Sequence, residues 1–556
     1  MRIRFSNIAA GLMLLLPAGL PAQSVPVYFN QSDGISRQVW FSEIDSARFL
    51  QDNTVGQFFM ERGKSMVSYY LNGCLDSISF STPKGDVADF PAADELTVEM
   101  ASSDDNSFKN VKESVETNES RPGYGDFVEN YVYGNTITIT YSGDKATAST
   151  SVKDVDVRIS GAHVTVNSTK GKMRYVLKGS TSNGSFKIDS EKKFRLDLSG
   201  VSITNPDGAA INIQSGKSIY MVLTSGTENK LTDGKQYVYV GDEDQKGALF
   251  SEGQLLISGA GSLKVTSQSA HGICSDDYIR LRGNLGTLTV NAAVDGINTK
   301  QHFIMYGGKV SVTAGDDGVV VRRGHIQMMG GKLTVKAVDN GIDATYSQND
   351  TTYFSMGGGL LKVETSGDKG HGISSTGNMT ISGGIIQAVV KGAASKAINC
   401  YGDITMADAK ATLMTQGVPM YNEEEADFSS AAGIRCRGNM SLTNSIVGIK
   451  STGQGGKGFN CDGNASLSGS DVTVVTSGGS YAQGGESVRP KTLECMSLTL
   501  DSGSIRLNSS YSAIQTHAGL AQNGGEIYAF STHGTTQIIN AKAGVTQTGG
   551  LLYQRR

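Results

Sequence analysis

The stretch "AHGICSDDYIRLRG", residues 270–283, places a histidine, a cysteine, a serine and two aspartates within seven positions, 271–277. A histidine near a cysteine is typical of a thiol nucleophile with its base, and clustered carboxylates are typical of a site for a hard cation. The choice between these interpretations depends on whether the stretch is unique in the chain. It is one copy of a repeat.

The repeat starts with a polar residue, usually continues with glycine, and has an apolar third residue, as in "HGICS". Further copies are "DGINT" (295–299), "DGVVV" (317–321), "NGIDA" (340–344), "HGISS" (371–375), "KAINC" (396–400), "AGIRC" (432–436), "KGFNC" (457–461), "KTLEC" (491–495) and "SAIQT" (512–516). Two short segments of alternating apolar and polar residues follow each copy, often joined by Gly-Gly, and predict half-buried strands with tight corners. Three strands per repeat of about 22 to 25 residues predict one coil of a parallel β-helix.

Composition agrees with an all-β, exported protein. The 556 residues include 70 glycines and nine prolines, which favours short strands and turns over helices. The formal net charge of −4 gives no reason to expect a nucleic-acid partner. Residues 1–22 combine Arg2 and Arg4 with an apolar run and small residues, which predicts a cleaved signal peptide, and no later run predicts a transmembrane segment.

The order of the repeats predicts four segments. These are the signal peptide at 1–22, a small β-rich module at 23–83, a polar linker at 84–130, and one β-helix from 131 to 556. The module contains the paired stretches "EIDSARF" and "CLDSISF", and the linker contains "SSDDNS" and "KESVETNESRPG". The long repeat intervals predict loops inserted at a corner of the β-helix.

The fifth residue of each repeat should point inward, because it lies on the same side of the strand as the apolar third residue. This row contains Cys400, Cys436, Cys461 and Cys495, and its other members are small or apolar. Four such cysteines also fit a zinc site or two disulfides. Side chains stacked about 4.8 Å apart on parallel strands are too far apart for disulfide geometry, so a buried, reduced row is predicted.

Cys274 occupies the fourth position of its repeat and should therefore face outward. Nucleophilic catalysis there would require a base and an orienting group converging on the thiol. The equivalent positions of neighbouring coils hold unrelated residues, so no catalytic residue is assigned.

An acidic corner is predicted where successive coils stack. Its predicted cation ligands, with Asp339 beside them, are Asp276, Asp277, Asp295, Asn298, Asp316, Asp317 and Asp343. Stacked like charges are unfavourable unless a cation or water lies between them, and calcium accepts such irregular sets of oxygen ligands. The alternative is a solvated edge that Lys300, Arg322 and Arg323 partly neutralise.

The inserted loops at 419–431 and 478–490 fall at the same corner, two coils apart. Tyr421 and Tyr481 could therefore line one exposed edge and bind a ligand. The alternative is that they are loop tyrosines without a specific role.

The runs "KFRLDLSGVSITNPDGAAINIQSGKS", "GDEDQKGALFSEGQLLISGAGSLKVT" and "HGICSDDYIRLRG…DGINT" resemble a family of exported bacterial proteins. It is the calcium-containing, β-helical carbohydrate-binding family, whose fold is similar to that of polysaccharide lyases. The resemblance covers residues 131–345 closely and the later coils more loosely. It implies a right-handed parallel β-helix, calcium at the corner aspartates, and binding of cellulose-like or pectic polymers. The N-terminal module is outside the resemblance.

Three functions remain open. The favoured one is a non-catalytic binding protein for an extracellular polysaccharide, stabilised by Ca²⁺. A calcium-dependent polysaccharide lyase acting on a uronate polymer would need a basic residue such as Lys300 or Arg322 beside the metal. An adhesin or surface scaffold would use the solenoid as a rigid rod.

Overall fold

The chain is an all-β, right-handed parallel β-helix of about 15 turns. The computed structural model describes residues 25–52, 55–62, 65–70, 75–100, 106–121, 123–239, 241, 243–345, 352–534 and 537–556, so the predicted signal peptide lies outside the described residues. The chain divides into two compact units. We call residues 100–411 the central unit, and residues 1–99 with 412–556 the terminal unit. The four segments predicted from the sequence stay a prediction.

The strands follow the predicted order of three short segments per coil. Those of the N-terminal module, and of the residues up to 99 that pack with it, are Pro26–Gln31, Ile35–Trp40, Ser46–Asp52, Val55–Arg62, Ser65–Tyr70, Leu75–Ser79 and Asp86–Ala88. Those from 135 to 407 are Asn135–Ser142, Lys145–Ala148, Val155–Ser160, Ala162–Ser168, Met173–Thr181, Gly184–Ser190, Phe194–Thr204, Ile211–Ile213, Ile219–Leu223, Glu228–Thr232, Gly247–Ser251, Leu255–Ser258, Ser262–Thr266, His271–Ser275, Ile279–Leu281, Thr287–Ala292, Ile297–Thr299, His302–Met305, Lys309–Ala314, Val319–Val321, His325–Met328, Lys332–Ala337, Ile342–Ala344, Tyr353–Met356, Leu360–Thr365, Ile373–Ser375, Met379–Ile381, Ile385–Val390, Lys396–Cys400 and Ile404–Ala407.

The remaining strands are Lys410–Thr415, Met420–Asn422, Asp427–Ser429, Ala432–Cys436, Met440–Thr443, Ile446–Ser451, Lys457–Cys461, Ala465–Ser468, Ser470–Thr476, Tyr481–Gln483, Glu486–Val488, Lys491–Cys495, Leu498–Leu500, Gly503–Ser509, Ser512–Thr516, Leu520–Gln522, Glu526–Ser531, Ile539–Ala541, Val545–Gln547 and Leu551–Arg555. Short 3₁₀ helices span Phe41–Glu43, Ala93–Glu95, Tyr124–Asp126 and Val128–Asn130.

One coil of the central unit shows how the repeat folds. Its strands pair in parallel with the next coil through Ile297↔Val319, Phe303↔Ile326 and Val310↔Leu333. These six side chains are at most 2% exposed, so alternate residues of these strands fill the interior. The corner between the second and third strands needs glycine, because Gly308 has a φ of +91°.

The inward row is confirmed. Each of its ten members is at most 3% exposed, and none of its cysteines forms a disulfide among the described residues. In the terminal unit, Cys436 and Cys461 occupy paired positions of adjacent strands. The row therefore packs the interior, as parallel stacking predicts. Cys274 is also buried, at 2% exposure, although its strand position had predicted an outward thiol.

A strap, residues 106–121 and 123–130, lies against the coils of the central unit. The Glu113 carboxylate accepts hydrogen bonds from Arg280, Arg282 and the backbone N–H of Gly283, at 2.7 to 3.2 Å. Farther along the strap, Asp126 lies 2.8 Å from Arg280. The strap thus neutralises arginines that the coils bury.

The N-terminal module packs on the last coil of the terminal unit. Its strand Ser65–Tyr70 pairs antiparallel with Leu551–Arg555. A shared core includes Phe29, Tyr69, Phe90 and Tyr553. The module therefore covers the end of the solenoid in that unit.

Candidate functional site

The first residues of successive repeats in the central unit form a hydrogen-bonded ladder. We call this row the corner ladder: His271, Asp295, Asp317, Asn340, His371 and Lys396. Each side chain accepts the backbone N–H of the next member, with donor–acceptor distances of 3.3, 3.2, 2.8, 3.0 and 3.1 Å in chain order. Histidine, aspartate and asparagine all offer such an acceptor, and lysine, which offers none, ends the ladder. The first position of these repeats therefore requires a side chain that can accept a hydrogen bond, whatever its charge.

A glycine follows each of the first five ladder residues, and it has a steric cause. A Cβ on Gly296 would lie 2.1 Å from the Val312 side chain and 2.7 Å from the Gly318 carbonyl oxygen. Gly318 has the same relation to Val335, at 2.1 Å. At Gly296 and Gly318 only glycine fits between the corner and the third strand, so the polar-Gly pair is a structural signature of these coils.

Both ladder histidines must be neutral to accept a hydrogen bond. Burial and the nearby Lys396 lower the pKa of His371 to about 3. Burial also lowers the pKa of His271, although Asp295 acts in the opposite direction. At neutral pH the Nδ1 atom of each ring is therefore free to accept.

A carboxylate cluster lies beside the ladder. Asp316, Asp317 and Asp339 each have an oxygen within 4.8 Å of the others. Burial, followed by repulsion from Asp343, raises the pKa of Asp317 to about 8, and burial raises the pKa of Asp343 to about 6. Asp316 is exposed, but burial desolvates Asp317 and Asp339, and carboxylates held this close favour a proton or a cation between them. This donor set, all oxygen and anionic, fits a calcium ion.

Asp295 and Asn298 adjoin this cluster but already have protein partners. The Asn298 amide donates to Asp295 Oδ2 at 2.6 Å, and the other oxygen of Asp295 accepts from the corner ladder. The Arg322 guanidinium lies 3.8 Å from Asp295. A cation would therefore compensate more unpaired negative charge at Asp317 than at Asp295.

Asp276 and Asp277 lie in different surroundings. Asp276 groups with Asp244 and Glu252, and the Lys246 ammonium lies 2.7 Å from Asp276 and 2.6 Å from Asp244. A side-chain cation already compensates that group. Asp277 instead accepts a hydrogen bond from Gln254, and burial raises its pKa. Lys300 is exposed.

In the terminal unit, the two inserted loops form antiparallel hairpins. Met420–Asn422 pairs with Asp427–Ser429, and Tyr481–Gln483 pairs with Glu486–Val488. Phe428, which the sequence analysis did not identify, lies between the two predicted tyrosines. Its ring centroid is 4.9 Å from that of Tyr421 and 5.8 Å from that of Tyr481. We call these three partly exposed rings the aromatic trio.

Comparison with known proteins gives consistent descriptions. The family described as "Carbohydrate-binding domain-containing protein" matches residues 160–392 and 346–535. A protein of that description from Acetivibrio thermocellus is 31% identical over 162 residues, which are 28% of this chain and 52% of the relative. The chain thus matches about half of the relative's length.

A solved structure, a gadolinium derivative of the polysaccharide lyase-like protein from C. thermocellum, is 28% identical. The match covers 41% of this chain and 94% of that one, with a TM-score of 0.34, which is too low to support an argument. Within the described residues, no helix has the length and apolar character needed to span a membrane.

Proposed function

Because this chain belongs to the family of carbohydrate-binding domain-containing proteins, we propose that it is an exported, non-catalytic protein that binds an extracellular polysaccharide. The ligand is a cellulose-like or pectic polymer, and Ca²⁺ stabilises the protein. Export rests on the basic and apolar pattern of residues 1–22. The observation that carries the binding role is the aromatic trio.

The trio has the properties of a sugar-binding surface. Tyr421, Phe428 and Tyr481 are partly exposed, although aromatic rings are usually covered by a core. The C–H face of a pyranose packs on such rings, and the tyrosine hydroxyls supply polar contacts. Because the three rings come from two coils, they can contact more than one sugar unit of an extended polymer.

Binding to insoluble cellulose and to pectin tests this function. Replacing Tyr421 and Tyr481 by alanine should reduce the bound fraction and weaken the affinity about tenfold or more. Each ring that the bound sugar covers contributes about 1 kcal/mol to the free energy of binding. Tyr239→Ala is the matched control, because Tyr239 is 62% exposed and lies outside the trio. Equal binding by the double variant and the control would contradict a role for the trio.

We place calcium at Asp316, Asp317 and Asp339, with Asp343 beside them. Bound there, the ion supplies charge compensation for carboxylates that the fold desolvates. Asp276 and Asp277 are less suitable ligands, since Lys246 and Gln254 already occupy their oxygens.

Thermal unfolding with and without calcium tests the ion site. A chelator should lower the Tm, because saturation to 100 times Kd adds about 2.7 kcal/mol. Asp317→Asn keeps the ladder acceptor but removes the desolvated ionisable carboxyl group, so it should stabilise the chelated protein and abolish the calcium shift. Asp244→Asn, in the lysine-compensated group, should retain the shift. If the Tm of the wild-type protein is the same with and without calcium, the proposed ion site is wrong.

A lyase remains the rival function, because Arg322 is partly exposed beside the acidic cluster. Incubation with polygalacturonate and calcium, followed by ultraviolet absorbance of unsaturated product, separates the two. We expect no signal. A signal that Arg322→Ala or Lys300→Ala abolishes would make the protein an enzyme.

A further inference from the structure

Four lysines cluster at one corner near the start of the β-helix in the central unit. Lys172, Lys192, Lys193 and Lys217 precede strands of three successive coils. The pairings Met173↔Phe194 and Phe194↔Ile219 place Lys172 beside Lys193, and Lys192 beside Lys217. Parallel neighbours are about 4.8 Å apart, so four positive charges share a small surface.

These ammonium groups have no ion-pair partner among the described residues, unlike the arginines on the adjoining strands. Arg174 and Arg195 both lie 2.5 Å from the buried Asp197 carboxylate. The lysines are exposed, and Glu191 is the one acidic side chain in the lining they share. In a protein with a net charge of −4, such an uncompensated group of cations is a local feature.

The lysines line a cavity of about 750 Å³, within the usual size of a ligand site. Tyr131 holds one of them in place, with the Lys193 ammonium 3.5 Å from its ring centroid. Val132, which is 77% exposed, adds an apolar wall. Ser218 and Gln254, hydrogen-bonded to each other at 2.7 Å, add neutral polar groups at the edge.

We propose that this cavity is a second glycan subsite, which binds the carboxylate or sulfate of an acidic sugar directly on lysine ammonium groups, without a bridging metal. The inference rests on the proposed carbohydrate-binding function. It adds that the bound sugar carries an anionic group and that this group binds in the lysine cavity. The anion lies between Lys192 and Lys217, Val132 contacts the ring, and Ser218 and Gln254 bind hydroxyls. Exposed, unpaired ammonium groups attract anions at a low desolvation cost.

The test is calorimetric titration of the full-length protein, in EDTA, with three oligosaccharides of equal length. One is an oligogalacturonide, one is sulfated, and one is an uncharged cello-oligosaccharide. The test variant is Lys192→Gln/Lys217→Gln. The matched control is Lys230→Gln/Lys264→Gln, which removes another stacked, exposed pair outside the lining of this cavity.

We expect at least one acidic oligosaccharide to bind the wild type in EDTA, with an affinity that falls as salt rises. The test variant should bind the acidic oligosaccharide about tenfold more weakly than the wild type, or weaker still. The affinity of the control variant for this ligand, and the affinity of the test variant for the uncharged ligand, should stay within twofold of the wild-type values. The preferred acidic ligand distinguishes a carboxylate from a sulfate.

Other outcomes overturn the inference in separable ways. If acidic ligands bind with equal affinity to the wild type and the test variant, or bind only with calcium, the lysine subsite is wrong and the proposed function stands. If inorganic sulfate competes at the same concentration as the oligosaccharide, the site is a simple anion site. If neither acidic nor uncharged glycans bind the wild type, the proposed function itself fails.

Discussion

At the residue scale, His371 couples the corner ladder to pH. Its Nδ1 accepts the backbone N–H of Lys396, and its pKa of about 3 lies below the ordinary value of 6.5. Between these two values the unfolded chain binds a proton that the folded chain does not. The contribution of His371 to the free energy of unfolding therefore falls as pH drops through 6.5 towards 3.

The expected loss from His371 alone is about 2 kcal/mol at pH 5. His371→Gln, which keeps an acceptor and cannot be protonated, should gain about 2 kcal/mol in free energy of unfolding relative to the wild type when urea unfolding is measured at pH 5 instead of pH 7. His533→Gln, a substitution of a histidine outside the ladder, controls for nonspecific effects. If the His371 variant keeps the wild-type pH slope, the ladder histidine is not the cause.

Residue types alone predict the inward row but only part of the corner. Cys436 and Cys461 follow from strand periodicity, because the side-chain direction alternates along every strand. Asp295 and Asp317 predict a charged corner, yet their bonds to the next coil depend on backbone placement. The shared role of His371, Asn340 and Asp317 becomes visible only when the acceptor atoms, rather than the charges, are compared. Which corner aspartates bind calcium stays a prediction.

At the scale of elements, the strap depends on Glu113. Its side chain is 7% exposed and lies 3.0 Å from both Arg280 and Arg282, which are 11% and 4% exposed. Removing one partner of a buried ion network costs more than the net value of the network, since the remaining charges stay desolvated. The strap should therefore detach when this one carboxylate is lost.

Glu113→Gln should lower the free energy of unfolding by about 3 kcal/mol and expose residues 106–130 to proteolysis. Glu119→Gln, a substitution at an exposed position of the same strap, should change neither. Limited proteolysis with mass spectrometry locates the cut. Resistance equal to that of the wild type would mean that other contacts hold the strap.

Local sequence predicts the coils well and the strap poorly. The coils repeat, so the alternation in residues 303–312 is supported by equivalent segments above and below. The strap has no alternation and is rich in charge, a composition that usually indicates a linker. Its partners, Arg280 and Arg282, are more than 150 positions away in the chain. Long-range ion pairs of this kind leave no periodic signal.

At the scale of the whole molecule, the ends of a solenoid need covers, because an uncovered last coil exposes strand edges and core. In the terminal unit, the N-terminal module supplies this cover for the last coil. Phe90 stacks on Tyr553 with ring centroids 4.9 Å apart, and Arg37 donates to the Tyr528 hydroxyl at 3.0 Å. The N-terminal module and the last coil of this unit thus share one core.

Deleting residues 25–99 should therefore make the protein self-associate. The strand Leu551–Arg555 would lose its antiparallel partner Ser65–Tyr70, and its free edge and the apolar side chains beside it would be open to a second copy. Light scattering over a concentration series should show larger species for the truncated chain than for a control that lacks only residues 1–24. Phe90→Ala, a milder change, should cost about 3 kcal/mol without removing the strand pairing. If the truncated chain scatters like the control and melts at the same temperature, the module does not act as a cap.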